Sequence, residues 1–251
     1  MLPMSVNQLP PDVDSGEQGA MKHEDVPSLD FGPILETTVR SGGRSIILHR
    51  PGDPDRLLDA PEVRARNAAE DYMPYWAYLW PGSFLLGNAV AAGPWPKGMQ
   101  ALEIGCGLGL PGLVALAHGL RVHFTDHDPT TLRFVERNAR ANGFVSSSFS
   151  TALLDWTDPP ADRYPLILGA DVTYERRLVP LVAGVVAAML DDDGVALISD
   201  PNRVASEGFG DALAALGLAS EANPAEAETD EGTRVRGTIR RIWWSDSRRT
   251  G

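Results

Sequence analysis

The sequence predicts an α/β fold in which helices cover both faces of a mostly parallel β-sheet. From residue 99 onward, short apolar segments typical of buried strands alternate with longer segments that have the apolar spacing of helices. Such alternation indicates parallel strands, because the crossover between two neighbouring parallel strands is usually a helix. The chain has 251 residues, 43% of them hydrophobic, which is enough for one full-sized core.

The part of the chain before residue 99 is predicted to add a tail and a small extension. Residues 1–30 are rich in proline, aspartate, serine and glycine, and we expect them to form a flexible tail. An extension over residues 31–75 contains a β-hairpin at 34–48, turning at Ser41-Gly42-Gly43, and a short polar helix at 61–70. The main domain then spans 76–246.

The main domain follows the aromatic segment 72–82, in which six of the aromatic side chains of the chain are concentrated. A helix over 83–92 is predicted next, with Ser83 as its N-cap. The strands are predicted at 101–104, 121–125, 149–154, 166–170, 195–199 and 233–244, and the helices at 110–118, 129–142, 177–190 and 207–216. Asp193-Gly194 is predicted as the turn before the fifth of these strands.

Composition excludes several classes of protein. The net charge of −12 argues against broad binding to nucleic acid or to anionic membranes. The single cysteine, Cys106, excludes a disulfide framework and a cysteine-rich zinc site, and the histidines lack ligand spacing, so no metal site is predicted. No apolar segment is long enough for a membrane span, and the acidic N-terminus does not resemble a signal peptide. We therefore expect a cytoplasmic protein, and a monomer.

A glycine-rich loop, Glu103-Ile104-Gly105-Cys106-Gly107-Leu108-Gly109, joins the first strand of the main domain to its helix. Glycines at this point allow a sharp turn and close approach of a ligand to the main chain. The register Gly107–Gly112 satisfies a dinucleotide fingerprint but begins three residues after the strand and contains Pro111. The register Gly105-x-Gly107-x-Gly109 after an acid fits the strand end better, and it resembles the first motif of class I methyltransferases that use S-adenosylmethionine. Glu103 would suit the ammonium and sulfonium charges of that cofactor.

Two acidic residues follow the next strands. Asp126 ends the second strand, where a carboxylate can accept both hydroxyls of a ribose, whereas Asp128 has the position of a helix N-cap. Asp155 ends the third strand before Trp156. It is interpreted as a contact for the adenine amino group, with a turn residue as the alternative, and an apolar neighbour would cover the ring.

Further motifs make the resemblance more specific. The chain resembles the seven-strand protein-lysine methyltransferases of family 16 over about residues 72–218, closest to the branch of the electron-transfer-flavoprotein β-subunit lysine methyltransferases. The motifs that carry this resemblance are Pro74-Tyr75-Trp76-Ala77-Tyr78-Leu79-Trp80-Pro81-Gly82, Glu103–Gly109, Asp155-Trp156, Asp171-Val172-Thr173-Tyr174 and Asp200-Pro201.

The resemblance implies a Rossmann-like, doubly wound sheet of seven strands and S-adenosylmethionine as cofactor. It implies that Asp171 and Tyr174 are catalytic, lining the entrance of the acceptor. The implied cofactor-binding residues are Trp80, Glu103, Gly105, Gly107, Gly109, Asp126, Asp155 and Trp156. The acceptor would be an amine, in the first place a protein lysine. Thr173 in place of a bulky residue, and the following Arg176-Arg177, depart from the family pattern and favour a small-molecule amine as the alternative.

Two other functions stay open at this point. A nicotinamide-dependent dehydrogenase would use the later glycine register, although no acid–base pair for hydride transfer is evident. A non-catalytic scaffold would bind the cofactor and dock a partner through its acidic surface.

Overall fold

The structure of the protein is a computed structural model that describes residues 32–245. The tail predicted for residues 1–30 lies outside this described part. Strands β1 (Ile34–Ser41) and β2 (Arg44–Pro51) form an antiparallel hairpin, and helix α1 (Pro61–Glu70) follows. The division of the chain at residue 75 stays a prediction, because the segment between α1 and the main sheet packs against that sheet.

The other elements build one seven-stranded sheet with helices between its strands. In chain order they are α2 (Pro81–Ala92), β3 (Gln100–Glu103), α3 (Leu110–Ala117), β4 (Arg121–Asp126), α4 (Pro129–Ala141), β5 (Phe149–Leu153), β6 (Tyr164–Ala170), α5 (Leu178–Met189), β7 (Leu190–Asp200), α6 (Phe209–Ala215), β8 (Leu218–Glu228) and β9 (Arg234–Trp244). The strand order is β5-β4-β3-β6-β7-β9-β8, and β9 alone runs opposite to its neighbours.

The strand order creates a switch point between β3 and β6. The chain first moves outward from β3 through β4 to β5, and then returns to the other side of β3 to form β6 and β7. In open α/β sheets, the crevice outside the carboxyl ends of the strands at such a point is where ligands bind. The fold class predicted from the sequence is therefore confirmed, and it also indicates where to look for a site.

Side chains on the central strands alternate between two cores. In β6, Leu166 and Leu168 pack with α2, α3 and α4, whereas Ile167 between them packs with α5 and α6. All three side chains are fully buried. Because both faces of the strand are covered, its sequence is a continuous apolar run without polar alternation.

Two predicted features of single elements are wrong. Helix α2 begins at Pro81, so Trp80 and not Ser83 is its N-cap, and proline suits the first position of a helix. Strand β7 begins at Leu190, so the predicted Asp193–Gly194 turn lies within a strand whose pairing with β6 shifts register. A bulge of this kind interrupts the alternation of side chains from which a strand is predicted.

Strand β8 was not predicted from the sequence. It lies at the edge of the sheet, contains Pro224 and is exposed over much of its length. Edge positions tolerate proline and polar side chains, because only one side of the strand is hydrogen bonded. No helix in the part of the chain that the structure describes is long and apolar enough to cross a membrane.

Candidate active site

A cleft of about 230 Å³ opens beside the switch point, at the carboxyl ends of β3, β4 and β6. The loop after β3 and the residues that follow β4 and β6 contribute to its lining. The segment between α1 and α2 contributes aromatic side chains, and Arg203 enters from the loop after β7. We refer to this cavity as the cleft.

Two of the three glycines singled out in the loop line the cleft. Gly105 and Gly107 have φ values of +56° and +52°, which residues with a Cβ rarely adopt. A Cβ at Gly107 would lie 3.8 Å from the carbonyl oxygen of Trp76, across the gap between the loop and the aromatic segment. Gly109 is instead the N-cap of α3, and a Cβ there would approach Val135 to 3.1 Å. Its position serves the packing of helix against sheet and not the lining of the cleft.

Glu103 does not line the cleft. It is 1% exposed, and its Oε2 accepts a hydrogen bond of 3.0 Å from the N–H of Gly112 in the first turn of α3. Burial raises the pKa of its carboxyl group well above the ordinary value, although the hydrogen bond from Gly112 acts in the opposite direction. The predicted contact of Glu103 with a cofactor therefore has no support from this geometry, and the side chain stabilises the start of α3.

Glu103→Gln is expected to remove a pH dependence of stability. The raised pKa means that the folded protein binds more protons than the unfolded chain at pH values between the unfolded and folded pKa. The free energy of unfolding of the wild type should fall as pH rises through this interval, by about 1.4 kcal/mol for each pH unit that separates the two values. Glutamine still accepts the hydrogen bond and should show no such fall.

Urea unfolding from mildly acidic to alkaline pH measures this difference. Glu70→Gln, at an exposed position in the last turn of α1, is the matched control and should follow the wild-type curve. Parallel curves for Glu103→Gln and the wild type would contradict the expectation.

Asp126 ends β4 and lines the cleft. One of its carboxylate oxygens accepts a hydrogen bond of 3.1 Å from the N–H of Gly107, and the other accepts one of 3.1 Å from the N–H of Asp128. The carboxylate therefore ties the glycine loop to the end of β4. His127, to which the sequence gave no role, also lines the cleft, and its Nδ1 lies 3.2 Å from Asp126, which raises the pKa of His127. Residues 32–245 contain no group of three His, Cys, Asp or Glu side chains suited to hold a metal ion.

Asp128 is fully buried and links the start of α4 to the aromatic segment. Its Oδ1 accepts a hydrogen bond of 2.8 Å from the N–H of Thr130, which agrees with the predicted N-cap. Its Oδ2 accepts a hydrogen bond from the hydroxyl of Tyr72 and lies 3.5 Å from Nη1 of Arg66. The Tyr72 hydroxyl in turn accepts a hydrogen bond of 3.2 Å from Nε1 of Trp76, which lines the cleft. The N-cap thus also fixes one wall of the cleft.

Asp155 and Trp156 occupy different surroundings although they are adjacent in sequence. Asp155 is exposed and does not line the cleft, and its Oδ1 accepts hydrogen bonds from the backbone N–H and hydroxyl of Thr157. These bonds lower the pKa of Asp155. Trp156 lines the cleft, and a Cβ added at Gly105 would approach its ring to 3.1 Å. Asp155 therefore has the position of the turn residue that the sequence allowed as the alternative.

Three aromatic side chains meet in the cleft. The ring centroid of Tyr75 lies 6.0 Å from that of Trp80 and 5.2 Å from that of Tyr174, in both cases edge to face. Nε1 of Trp80 donates a hydrogen bond of 2.7 Å to the carbonyl oxygen of Tyr75. Burial raises the pKa of Tyr174 to about 12, so its hydroxyl group is protonated at neutral pH.

Asp171 joins three elements at the end of β6. It is 5% exposed, and its φ of +56° is one that aspartate and asparagine tolerate better than most residues. Its Oδ2 accepts a hydrogen bond of 2.7 Å from the N–H of Gly82 in the first turn of α2, and its Oδ1 accepts one of 2.9 Å from Nε of Arg203. Burial raises the pKa of Asp171 even though Arg203 acts in the opposite direction.

Sequence reasoning missed Arg203, because no motif surrounds it. The motif Asp200-Pro201 was noted three residues earlier, and Oδ1 of Asp200 accepts a hydrogen bond of 2.8 Å from the backbone N–H of Arg203. The guanidinium carbon lies 5.3 Å from the centroid of the Trp80 ring. Among the missed residues that line the cleft, Tyr75 and Trp76 lay within the aromatic segment already noted, whereas Met73, His127 and Glu175 had no distinguishing signal.

The two arginines predicted at the mouth of the cleft are paired with carboxylates. Arg177 binds Glu175 and lies 3.2 Å from Asp71, and Arg176 lies 3.6 Å from Glu207. Their charges are therefore locally compensated. This weakens the sequence argument that they would disfavour a lysine-rich acceptor.

Comparison with known proteins identifies the central part of the chain. Residues 89–209 match the sequence model of a family described as lysine methyltransferase. The protein N-lysine methyltransferase METTL21A of Danio rerio is 32% identical over 109 residues, which are 41% of this chain and 50% of that protein. The EEF1A lysine methyltransferase 3 of Mus musculus is 27% identical over 110 residues, which are 43% of this chain and 47% of that protein. The chain thus spans about half the length of the curated relatives it matches.

Solved structures agree with the fold. Trm5b from Pyrococcus abyssi has a TM-score of 0.53 at 14% identity, and the match covers 85% of this chain and 57% of that one. At this level of identity the likeness concerns the fold alone. The finer prediction, the branch of the electron-transfer-flavoprotein β-subunit enzymes, stays a prediction. Residues 89–209 belong to the lysine methyltransferase family, on the fold of class I methyltransferases.

Proposed function

We propose that the protein is an S-adenosylmethionine-dependent methyltransferase whose acceptor is an amine, with a protein lysine side chain as the favoured substrate. The observation that carries the proposal is a single cleft lined both by the glycine loop with Asp126 and by the aromatic group around Tyr174. The first set suits an adenosine-bearing cofactor and the second suits an amine taken out of water. The family match over residues 89–209 supports the same reaction.

The residues present fit this cofactor. The missing side chain at Gly107 leaves space against the main chain that a Cβ would begin to fill. Asp126 would accept the ribose hydroxyls, Trp156 would cover the adenine ring, and Trp80 would pack beside the amino-acid part. When bound, S-adenosylmethionine supplies a methyl group on a sulfonium, which needs little further activation. The protein mainly has to align the acceptor with it.

The acceptor has to be present as a neutral amine. Removal from water among Tyr75, Trp80 and Tyr174 disfavours the charged form of an amine and so lowers its pKa. The protonated Tyr174 hydroxyl would accept a hydrogen bond from the amine N–H and orient its lone pair. Asp171 would accept a second hydrogen bond, because each of its oxygens retains a lone pair beyond those used by Gly82 and Arg203.

The dehydrogenase alternative receives no support from the geometry. A pyrophosphate in the later glycine register would need free backbone N–H groups at the start of α3. The N–H of Gly112 is already bonded to Glu103, and neither Gly109 nor Gly112 lines the cleft. The small-molecule acceptor and the non-catalytic scaffold are decided by experiment.

Incubation of the purified protein with methyl-labelled S-adenosylmethionine and a cell lysate tests the proposal. We expect label in macromolecular material, on lysine after hydrolysis, with no transfer when the protein is omitted. Label only in low-mass amines would replace the protein acceptor by a small molecule. Binding of S-adenosylhomocysteine without any transfer would favour the scaffold, and binding of NAD alone would contradict the proposed cofactor.

Asp126→Ala is expected to weaken the binding of S-adenosylhomocysteine by about 1.5–3 kcal/mol, the range for a lost hydrogen bond to a charged group. Asp155→Ala is the matched comparison, because its carboxylate is exposed and bonded to Thr157. It should change the affinity by less than about 0.5 kcal/mol, as for a surface substitution. Titration calorimetry measures both values, and equal losses would show that Asp155 also contacts the ligand.

A further inference from the structure

Arg203 lines the cleft with part of its hydrogen-bonding capacity unused. Its Nε is bonded to Asp171 at 2.9 Å, and its guanidinium carbon lies 5.3 Å from the centroid of the Trp80 ring. Within residues 32–245, its two terminal Nη groups have no hydrogen-bond partner at all. The side chain is 32% exposed, so these donors are accessible to a ligand in the cleft.

The charges that line the cleft make this donor pair distinctive. Arg203 is the only arginine or lysine among the described residues that line it. The remaining charged or titratable acid–base groups there are Asp126, Asp171, Glu175 and His127. An amino-acid ligand carries an α-carboxylate, and taking a carboxylate out of water without a partner is costly. Three carboxylates would repel it, so a cation is required.

We infer that Arg203 binds the α-carboxylate of the amino-acid part of the cofactor through its two Nη groups. The inference rests on the proposed function, which supplies the identity of the ligand. A guanidinium is planar, and two of its donors match the two oxygens of a carboxylate. Trp80, over which the guanidinium lies, is the residue proposed to pack beside the same part of the cofactor.

Asp171 acts on this contact as a positioning residue. Its bond to Nε fixes the orientation of the guanidinium plane and leaves the terminal edge with both Nη groups available. A lysine at position 203 would keep the charge, but it offers no rigid fork that could bind Asp171 and a ligand carboxylate at the same time. The backbone bond to Asp200 holds the main chain in place on the other side.

A cycle between the residue and the ligand group isolates this contact. Titration calorimetry compares S-adenosylhomocysteine with its α-carboxamide analogue, on the wild type and on Arg203→Gln. For the wild type, we expect the carboxamide to bind at least about tenfold more weakly, because it removes a charged hydrogen-bond acceptor. For Arg203→Gln, S-adenosylhomocysteine should lose about tenfold or more, and the two ligands should then bind within about threefold of each other.

Arg176→Gln is the matched control. It removes the same charge from an exposed side chain that lies 3.6 Å from Glu207 and does not line the cleft. It should keep the wild-type ratio of the two affinities. A ratio reduced as strongly in Arg176→Gln as in Arg203→Gln would mean that the effect is a general loss of positive charge, and it would overturn the inference.

Two further outcomes overturn the assignment. One is an Arg203→Gln variant that binds the two ligands with the wild-type ratio, and the other is a wild type that binds both ligands equally. The wild-type comparison needs no variant, so the test stands even if Arg203→Gln does not fold. A wild type that binds neither ligand overturns the proposed cofactor together with this inference, which distinguishes the two failures.

Discussion

Asp128→Ala is expected to lower the free energy of unfolding by about 3–5 kcal/mol, the cost of breaking a buried charged network by removing one partner. The fully buried carboxylate accepts hydrogen bonds from Tyr72 and Thr130 and faces Arg66. Alanine would leave the tyrosine hydroxyl and the backbone N–H without this acceptor. Loss of an N-cap alone would cost only about 1 kcal/mol. Most of the expected effect therefore comes from the contacts with the aromatic segment.

Urea unfolding of the wild type, Asp128→Ala, Tyr72→Phe and the double variant separates these two contributions. The coupling energy between the two positions should be about 1–3 kcal/mol, because they share one hydrogen bond in a buried network. Tyr72→Phe keeps the ring beneath Arg66 and removes only the hydroxyl. A loss near 1 kcal/mol for Asp128→Ala, without coupling, would reduce Asp128 to an ordinary N-cap.

Asp171→Asn is expected to lower the rate of methyl transfer by about 100-fold or more, the scale of one positioned catalytic group. This corresponds to about 2.7 kcal/mol of transition-state stabilisation. Asparagine tolerates the positive φ at this position, and its amide oxygen can still accept from Gly82 or Arg203. The variant should therefore fold, and its affinity for S-adenosylhomocysteine should fall by less than about tenfold, the value of one hydrogen bond.

Steady-state kinetics and calorimetry on the same preparation measure the two effects. Asp158→Asn, at an exposed position in the loop after β5, is the control and should change neither quantity. If Asp171→Asn loses affinity and turnover in equal proportion, Asp171 acts only through Arg203 on the cofactor. The group that binds the acceptor amine would then be Tyr174 alone.

The central sheet could be predicted from the sequence because its strands carry their own signal. Leu166 to Leu168 form a continuous apolar run since both faces of β6 are buried, and the helices between the strands show the apolar spacing of a covered face. Strand β8 gave no such signal, because its pairing with β9 leaves much of it exposed. Ser83 was predicted as an N-cap from residue type alone, and the proline two residues earlier determines the start of α2.

The candidate site was predictable to the extent that its residues follow strand ends. Gly105, Gly107, Asp126, Trp156 and Asp171 all line the cleft, because carboxyl ends of parallel strands meet at one edge of the sheet. Glu103, Gly109 and Asp155 also follow this rule in sequence but do not line the cleft. Their side-chain directions were undetermined, since neighbouring residues at a strand end point to different sides.

The sequence by itself determined the fold class, the family over residues 89–209 and the edge of the sheet at which a ligand would bind. These depend on local patterns, namely apolar periodicity and glycines at a strand-to-helix turn. Only the tertiary structure decided that Arg203 meets Asp171 and that Tyr72 meets Asp128, contacts between residues 32 and 56 positions apart. No local pattern encodes such pairs, because the free energy that selects them arises only when burial makes an unpaired charge or hydroxyl costly.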